Sequence, residues 1–566
     1  MGPENPAVGR LDSKPPSSSA IPHKQVRFLL WIVLFSVLCR LILLTQKEVV
    51  GTDEVIYLAL GQSLWQGQGL TLEDRPVTMC PPLLPIVAGI FSLFTEDLEK
   101  GTNFTYWFFG GLLVLPYFFF ARRIYGDKVA KLACFFLAFY PGLLLAFYWG
   151  SMTEHLYTFV LVSAFLFCLR AVDRGSPADF AWAGGLLALV YLTRSEGVLF
   201  FPVLLAWTAM RTLRGTSNRR RALARLAVMA VCFAVVSAPY PLFLKKHSGE
   251  LSISGKTKLI LLAGAMDLQE REKLLGKLNE EGTDFFNYEE LVRDKTVLGM
   301  VLENPKVLVG GSLLQFRNFF VALFSWKVFP AFLLPFVVLG LFRRAWNRER
   351  LRKEVFLATV CLPFLVFLTF QIWPRYLLPI TPILLLWAVR GVVELEEWIE
   401  ASARRIRENR TLRHPRPWFF VPRVLAAILL LAILVAKPVK ARMLDQMPVE
   451  YRTAGLWMKE NLPPQAIILA RKPEVAYYAQ RRMRPLPNEE LPRILRYALA
   501  QKAEYMVVDE AFIATRPQLA GLLASEEPPP PLERIYETRS PSGRKLRVFR
   551  IDLGQSGSPW PGGAGP

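Results

Sequence analysis

The chain has 566 residues, 52% of them hydrophobic and 13% aromatic, with 68 Lys and Arg against 47 Asp and Glu and a formal net charge of +21. Its apolar residues come in long uncharged blocks with basic clusters between them, which excludes a soluble cytosolic protein and a disordered, collagenous or disulfide-framework chain. The positive charge points to lipid headgroups; no recognition motif accompanies it, so no nucleic-acid partner is expected.

Residues 1–22, rich in Pro and Ser, are expected to form a disordered cytoplasmic tail. The first apolar block, Phe28 to Leu44, follows Lys24 and Arg27 and lacks a small-residue cleavage site, so it reads as a retained anchor. Further blocks cover 102–121, 132–152, 156–169, 178–193, 197–210, 226–244, 328–342, 355–373, 376–389 and 418–436. Against the ~20 residues needed to cross a bilayer, that predicts about eleven spans. The fold class expected is an all-α polytopic membrane domain over 23–436 with outer loops at 45–101 and 245–315. A C-terminal α/β soluble domain over 437–552 and a Gly/Pro/Ser tail over 553–566 complete it.

Orientation follows from the alternate connections. Arg122 and Arg123, Arg170 and Arg174, Arg219 to Arg221, Arg343 and Arg344, and Arg404 and Arg405 all fall between blocks on one side. Lys and Arg accumulate in cytoplasmic loops, so the N-terminus is expected inside the cell (inner or plasma) membrane and residues 437–552 outside. In that outer part, Tyr451 to Leu462 suits a helix stopped by Pro463 and Pro464. Ala466 to Ala470 and Tyr505 to Val508 suit buried strands, and 533–538 with 544–551 suits a hairpin around the turn at 540–543.

The charged residues that could do chemistry stand where spans meet the outer surface. Gly51-Thr-Asp-Glu-Val-Ile-Tyr57 follows the first span; on a helix, Asp53 and Tyr57 share a face and Glu54 turns aside. Pro81-Pro82 precede an apolar stretch at 86–94, too short to span, that suits an interfacial helix. Glu154 and His155 sit in Ser151-Met-Thr-Glu-His155, Arg194 and Glu196 in Leu192-Thr-Arg-Ser-Glu-Gly197, and Arg375 in Trp373-Pro-Arg-Tyr-Leu-Leu-Pro379. Blocks 156–169 and 376–389 are 14 residues each, and such a length rises only ~21 Å against a ~30 Å core. Either these helices extend into their basic ends or the outer charges sink below the headgroups, where they need partners. Arg40, inside the first block, is expected to snorkel or to face the same cavity. Lys256 and Lys258 in the second outer loop are further candidates for phosphate contacts, and one histidine beside one glutamate makes His155 a poor metal site.

The Asp53-Glu54 pair, Pro81-Pro82 before a short helix, and Arg122-Arg123-Ile-Tyr-Gly126 resemble the GT-C superfamily of glycosyltransferases. Arg375-Tyr-Leu-Leu-Pro379 and Arg471-Lys-Pro-Glu-Val-Ala-Tyr-Tyr478 look like bacterial members of glycosyltransferase family 39, the protein O-mannosyltransferases, and the aminoarabinose-transferase-like enzymes. The resemblance implies a polyprenyl-phosphate-linked sugar as donor, membrane lipid as its medium, and an acceptor lipid, glycan or protein on the extracytoplasmic face. It makes Asp53 the catalytic base, with Glu54 and Glu154 as further catalytic carboxylates. Arg375 and Arg194 would hold the donor phosphate, and Tyr57, His155 and Glu196 would line the substrate pocket. Many relatives carry Asp where this chain has Glu154, so the longer side chain displaces any acceptor or metal contact there. The residues demand no cofactor, and a divalent metal is left open. A transporter or flippase without chemistry, and an outer-face glycan ligase, are the competing readings; the charges gathered on one face argue against the former.

Overall fold

A computed structural model describes residues 22–44, 47–72, 75–95, 98–146, 153–256, 258, 273–286, 315–368, 372–408 and 447–552. The expected tails and the expected span at 418–436 therefore lie, Pro22 apart, outside the described residues.

The helical part begins with α1 (His23–Leu44), α2 (Thr52–Trp65), α3 (Leu83–Thr95), α4 (Leu98–Leu112), α5 (Val114–Tyr125), α6 (Asp127–Ala138) and α7 (Pro141–Leu144). It continues through α8 (Glu154–Arg174), α9 (Pro177–Thr193), α10 (Phe200–Arg214), α11 (Arg219–Ser237), α12 (Pro239–Ser248), α13 (Leu334–Phe342), α14 (Arg348–Cys361) and α15 (Thr381–Glu408). Among the described residues, five helical stretches are long and apolar enough to cross a membrane: His23–Leu44, Glu99–Tyr125, Glu154–Arg174, Ser195–Arg214 and Pro374–Ser402. A sixth results if α11 and α12, bent by 45° at their junction, form one span.

Some of the expected blocks are not single continuous helices, for physical reasons. The block at 132–152 breaks after Ala138, because Pro141 removes a donor and clashes with the preceding turn. The block at 355–373 passes from α14 into 3-10 turns over Leu362–Leu368, at Pro363. The two short blocks, by contrast, lengthen into Glu154–Arg174 and Pro374–Ser402, consuming their basic ends.

Broken helices leave backbone carbonyls that a membrane interior cannot hydrate. Buried tyrosines answer two of them, Tyr106 donating to Leu144 O and Tyr140 to Val328 O, each at 2.7 Å. Such a bond contributes about 1 kcal/mol net, and an abandoned buried partner costs about 1–3. Arg40 performs the same service. Fully buried, it neither snorkels nor faces the polar site; its Nη1 donates to Ser36 O and Oγ and to Ala138 O at 3.0 Å, the carbonyl at the break of α6. Helices α13 and α15 touch through glycines: a Cβ on Gly391 would stand 1.8 Å from Phe336 O, a backbone contact only Gly permits.

The C-terminal part holds α16 (Val449–Asn461), α17 (Pro473–Ala479), α18 (Leu491–Ala500) and α19 (Ala520–Ala524) around a sheet. A two-stranded ribbon in the first outer loop, β1 (Thr71–Leu72) and β2 (Arg75–Pro76), precedes it in the chain. The sheet itself comprises β3 (Ile467–Ala470), β4 (Arg482–Pro485), β5 (Tyr505–Asp509), β6 (Leu532–Arg539) and β7 (Lys545–Ile551), in the order β4-β3-β5-β7-β6. β3 runs parallel to both β4 and β5, whereas β7 pairs antiparallel with β5 and β6. The anticipated strands and hairpin are present within a residue or two; β4, a charged Arg-Met-Arg-Pro, was not legible as a strand. The second outer loop joins this unit: Leu278 packs in its core with Leu486 and Ile494, Asn488 N donates to Gly276 O, and Gln501 Nε2 donates to Thr283 O.

Candidate functional site

The N-terminus of α2 is held from two directions. Glu54 Oε2 accepts from Gly51 N at 3.0 Å, half of a capping box, and Glu54 Oε1 pairs with Lys47 at 2.6 Å and accepts from Thr102. Both charges are almost wholly buried, so this carboxylate is spent on fixing the helix start and is turned away from the site. That orientation leaves Asp53, one residue earlier, on the other face. Its Oδ2 receives Nη2 of Arg375 at 2.8 Å. Tyr57 lies on the same side within electrostatic reach of Asp53, Arg194, Glu154 and Cys80. Burial pushes its phenol well above the ordinary range, so it stays neutral.

Arg375 follows Pro374, which opens a short helical turn (Pro374–Leu377) beneath α15. Its guanidinium lies 5.2 Å from the ring of Tyr376, and on that same ring, at 5.0 Å, sits Arg194. Tyr157, one helical turn on from Glu154 in α8, covers Arg194 at 5.5 Å. Arg194 pairs in turn with Glu196 at 2.7 Å and Glu154 at 3.5 Å. The result is a band of alternating charge, Asp53–Arg375–Tyr376–Arg194–Glu154/Glu196, drawn from four separate chain segments. Its middle is sealed and Asp53 is its most exposed member: the Asp53 and Arg375 side chains are 42% and 24% exposed and Glu196 27%, against 9% and 4% for Arg194 and Glu154. The open end is therefore where a ligand can reach both a base and a cation.

Lys256 approaches from the second outer loop, close enough to act on both Cys80 and Glu196. Its segment is fastened by Tyr191 donating to Ile253 O and by Gly255, whose Cβ position lies 2.6 Å from Thr78 O. Lys258 is engaged instead by Glu250 at 2.9 Å. His155 is not brought to the cluster: its Nε2 bonds Leu143 O at 2.7 Å and its ring meets Tyr106 edge-on, on the side of α8 facing Arg40. Among the described residues no group of three His, Cys, Asp or Glu could hold a metal ion, and Glu154 is committed to Arg194.

Two participants carried a weak signal and were missed. Tyr376 and Tyr157 organise the arginines; both stand beside charged residues that had been singled out, but an aromatic at a span end reads equally as packing. Lys472, in the motif Arg471-Lys-Pro-Glu474, bonds Thr52 at the head of α2, a contact between positions 420 residues apart that no spacing reveals.

Residues 79–240 match the family model described as dolichyl-phosphate-mannose-protein mannosyltransferase. No curated protein sequence matches the chain. Among solved structures, the apo oligosaccharyltransferase of Archaeoglobus fulgidus aligns with 95% of this chain and 76% of its own, at a TM-score of 0.57 and 14% identity. ArnT from Cupriavidus metallidurans, solved bound to undecaprenyl phosphate, aligns with 94% of this chain and 98% of its own, at a TM-score of 0.51 and 14% identity. The fold is shared with these two structures, helical with a small C-terminal sheet unit, and with its span-length apolar helices the chain is a membrane protein.

Proposed function

We propose that this protein is an integral-membrane glycosyltransferase that moves a sugar from a polyprenyl-phosphate donor to an acceptor lipid, glycan or protein on the extracytoplasmic face. The observation that carries the reading is the half-open Asp53–Arg375 pair, a carboxylate and a guanidinium at hydrogen-bond distance. Two structural neighbours support it: ArnT was solved with undecaprenyl phosphate, and the archaeal oligosaccharyltransferase with an inhibitory peptide and a dolichol-phosphate. The basic connections give the orientation, with the N-terminus cytoplasmic and the C-terminal α/β unit outside.

The chemistry is a direct displacement. Asp53 takes the proton of the acceptor's nucleophile as that atom bonds to the anomeric carbon. The bond from that carbon to the phosphate oxygen breaks, and its electron pair leaves with the polyprenyl phosphate. The leaving group is already anionic and needs cations rather than a proton. Arg375 supplies a planar fork for two phosphate oxygens, with Arg194 held behind it by Glu154, Glu196 and the two tyrosine rings. Tyr57 and Glu196 border the sugar. Glu154 orients Arg194, and Glu54 and His155 support the scaffold. Membranes bearing the protein, incubated with a labelled polyprenyl-phosphate sugar, should release polyprenyl phosphate, and Asp53→Asn should stop the release. Undiminished release from Asp53→Asn would sink the mechanism.

A further inference from the structure

The C-terminal sheet changes direction between β3 and β5. From β3 the chain moves outward to β4; from β5 it passes to β6 and β7 on the opposite side. The carboxyl ends of β3 and β5 therefore border the crevice where open α/β sheets present functional groups. Arg471 and Lys472 follow β3 directly, and Asp509 ends β5. Phe512 lies against both cations, 3.9 Å from Arg471 and 4.4 Å from Lys472.

Lys472 reaches out of this crevice to the helical part. Its Nζ donates to Thr52 Oγ1 at 3.0 Å, and that hydroxyl donates to Glu474 Oε1 at 2.6 Å. Thr52 is the first residue of α2 and the neighbour of Asp53. Nearby, Val50 N donates to Tyr478 OH at 2.8 Å, and Arg452 Nη1 to Glu48 O. The groups facing the Lys472 ammonium are Asp53 from α2, Arg471 and Glu474 from its own segment, and Asp509 from β5.

The charge count gives this contact a purpose. Asp53, Glu154 and Glu196 are matched by Arg194, Arg375 and the nearby Lys256, and a donor phosphate turns that balance into a deficit. The same phosphate competes with Asp53 for Arg375. A carboxylate stripped of its cation in a partly desolvated place favours its protonated form, and a protonated acid cannot act as a base.

Resting on the glycosyltransferase reading, we propose that Lys472 is a positioning residue for Asp53: the outer unit lends it as a fixed cation that orients Thr52 and leaves a positive charge near Asp53 once donor phosphate has taken Arg375. Burial lowers the pKa of this ammonium, opposed by Glu474 and Asp509. Its charge is therefore lost at a lower pH than that of an exposed lysine.

The test uses the full-length protein in membrane vesicles with labelled polyprenyl-phosphate hexose, following released polyprenyl phosphate from neutral to alkaline pH. Lys472→Met should lose about tenfold in kcat, the scale of one partly screened charge, with the donor KM unchanged. Lys472→Arg, which cannot deprotonate, should keep activity and move the alkaline limb upward. A Lys472→Met protein that matches wild type overturns the proposal. So does an alkaline limb unmoved in Lys472→Arg, which decides the matter even if Lys472→Met fails to accumulate. Asp53→Asn, assayed alongside, separates the two ideas. If it is inactive while Lys472 is indifferent, only this inference falls; if it is fully active, the transferase reading falls and takes this inference with it.

Discussion

Removing the Arg375 side chain is the perturbation whose size can be worked out most directly. The guanidinium donates a charge-assisted hydrogen bond to Asp53 at 2.8 Å in the resting site and rests on the Tyr376 ring. On donor binding it would exchange Asp53 for phosphate oxygens. Hydrogen bonds to charged groups contribute about 1.5–3 kcal/mol each. With a quarter of the side chain exposed, screening keeps the figure inside that range rather than at a fully buried value. Arg375→Ala should therefore raise the donor KM by about 10- to 150-fold. Arg375→Lys keeps the charge but loses the fork and the ring contact, and should fall between the two, about tenfold. The assay is initial-rate release of polyprenyl phosphate across a donor titration, with Asp53→Asn as the inactive reference. An Arg375→Ala protein with the wild-type donor KM but a depressed kcat would refute phosphate binding. It would leave Arg375 as nothing more than a partner of Asp53.

Asp53→Asn should lower kcat by about 10²–10⁴-fold, the usual general-base contribution, at normal abundance in the membrane. Glu54→Gln should behave oppositely, because it strands the buried Lys47 charge; a loss of about 3–5 kcal/mol should appear as reduced Tm and abundance with the donor KM of surviving protein unchanged. Glu450 in α16 has its pKa raised by burial, so the fold binds its neutral form better. That stability is complete below the ordinary carboxylate range and is lost as pH climbs through the raised value. Glu450→Gln should accordingly raise Tm at neutral pH more than at acid pH, and equal shifts at both would contradict the assignment. Gly391→Val should separate α13 from α15, with a cost of about 1–3 kcal/mol or more visible as poor recovery from detergent. Reporter fusions at Arg350 and at Tyr451 should report opposite sides of the membrane.

The outer-surface charges were legible because each stands at the end of an apolar block, where an ionisable residue is conspicuous. Their convergence was also foreseeable in outline, since partly sunken charges must find partners. Asp53, Arg375, Arg194, Glu154 and Glu196 do meet. What the sequence concealed was the direction in which adjacent residues point: Glu154 enters the band while His155 turns to Leu143 O, and only the rotation of α8 decides it. Arg40 misled for a related reason. A lone arginine in a span suggests a ligand, but the break at Ala138–Pro141 needed a donor, and the two lie 98 positions apart. Apolar blocks and continuous helices part company wherever proline interrupts a hydrophobic run, since hydropathy registers apolar length and is blind to the missing backbone donor.

The second outer loop ends up fastened twice, by residues 253–256 against Tyr191 and Thr78 and by residues 276–285 along the edge of the C-terminal unit. Its described residues thus touch both the helical part and the sheet unit. A force that lifted the sheet from α2 would have to peel the Lys472–Thr52, Tyr478–Val50 and Arg452–Glu48 bonds, all of them at or just before the head of the helix that carries Asp53. The joint between the two parts is therefore also the mounting of the site's most exposed carboxylate.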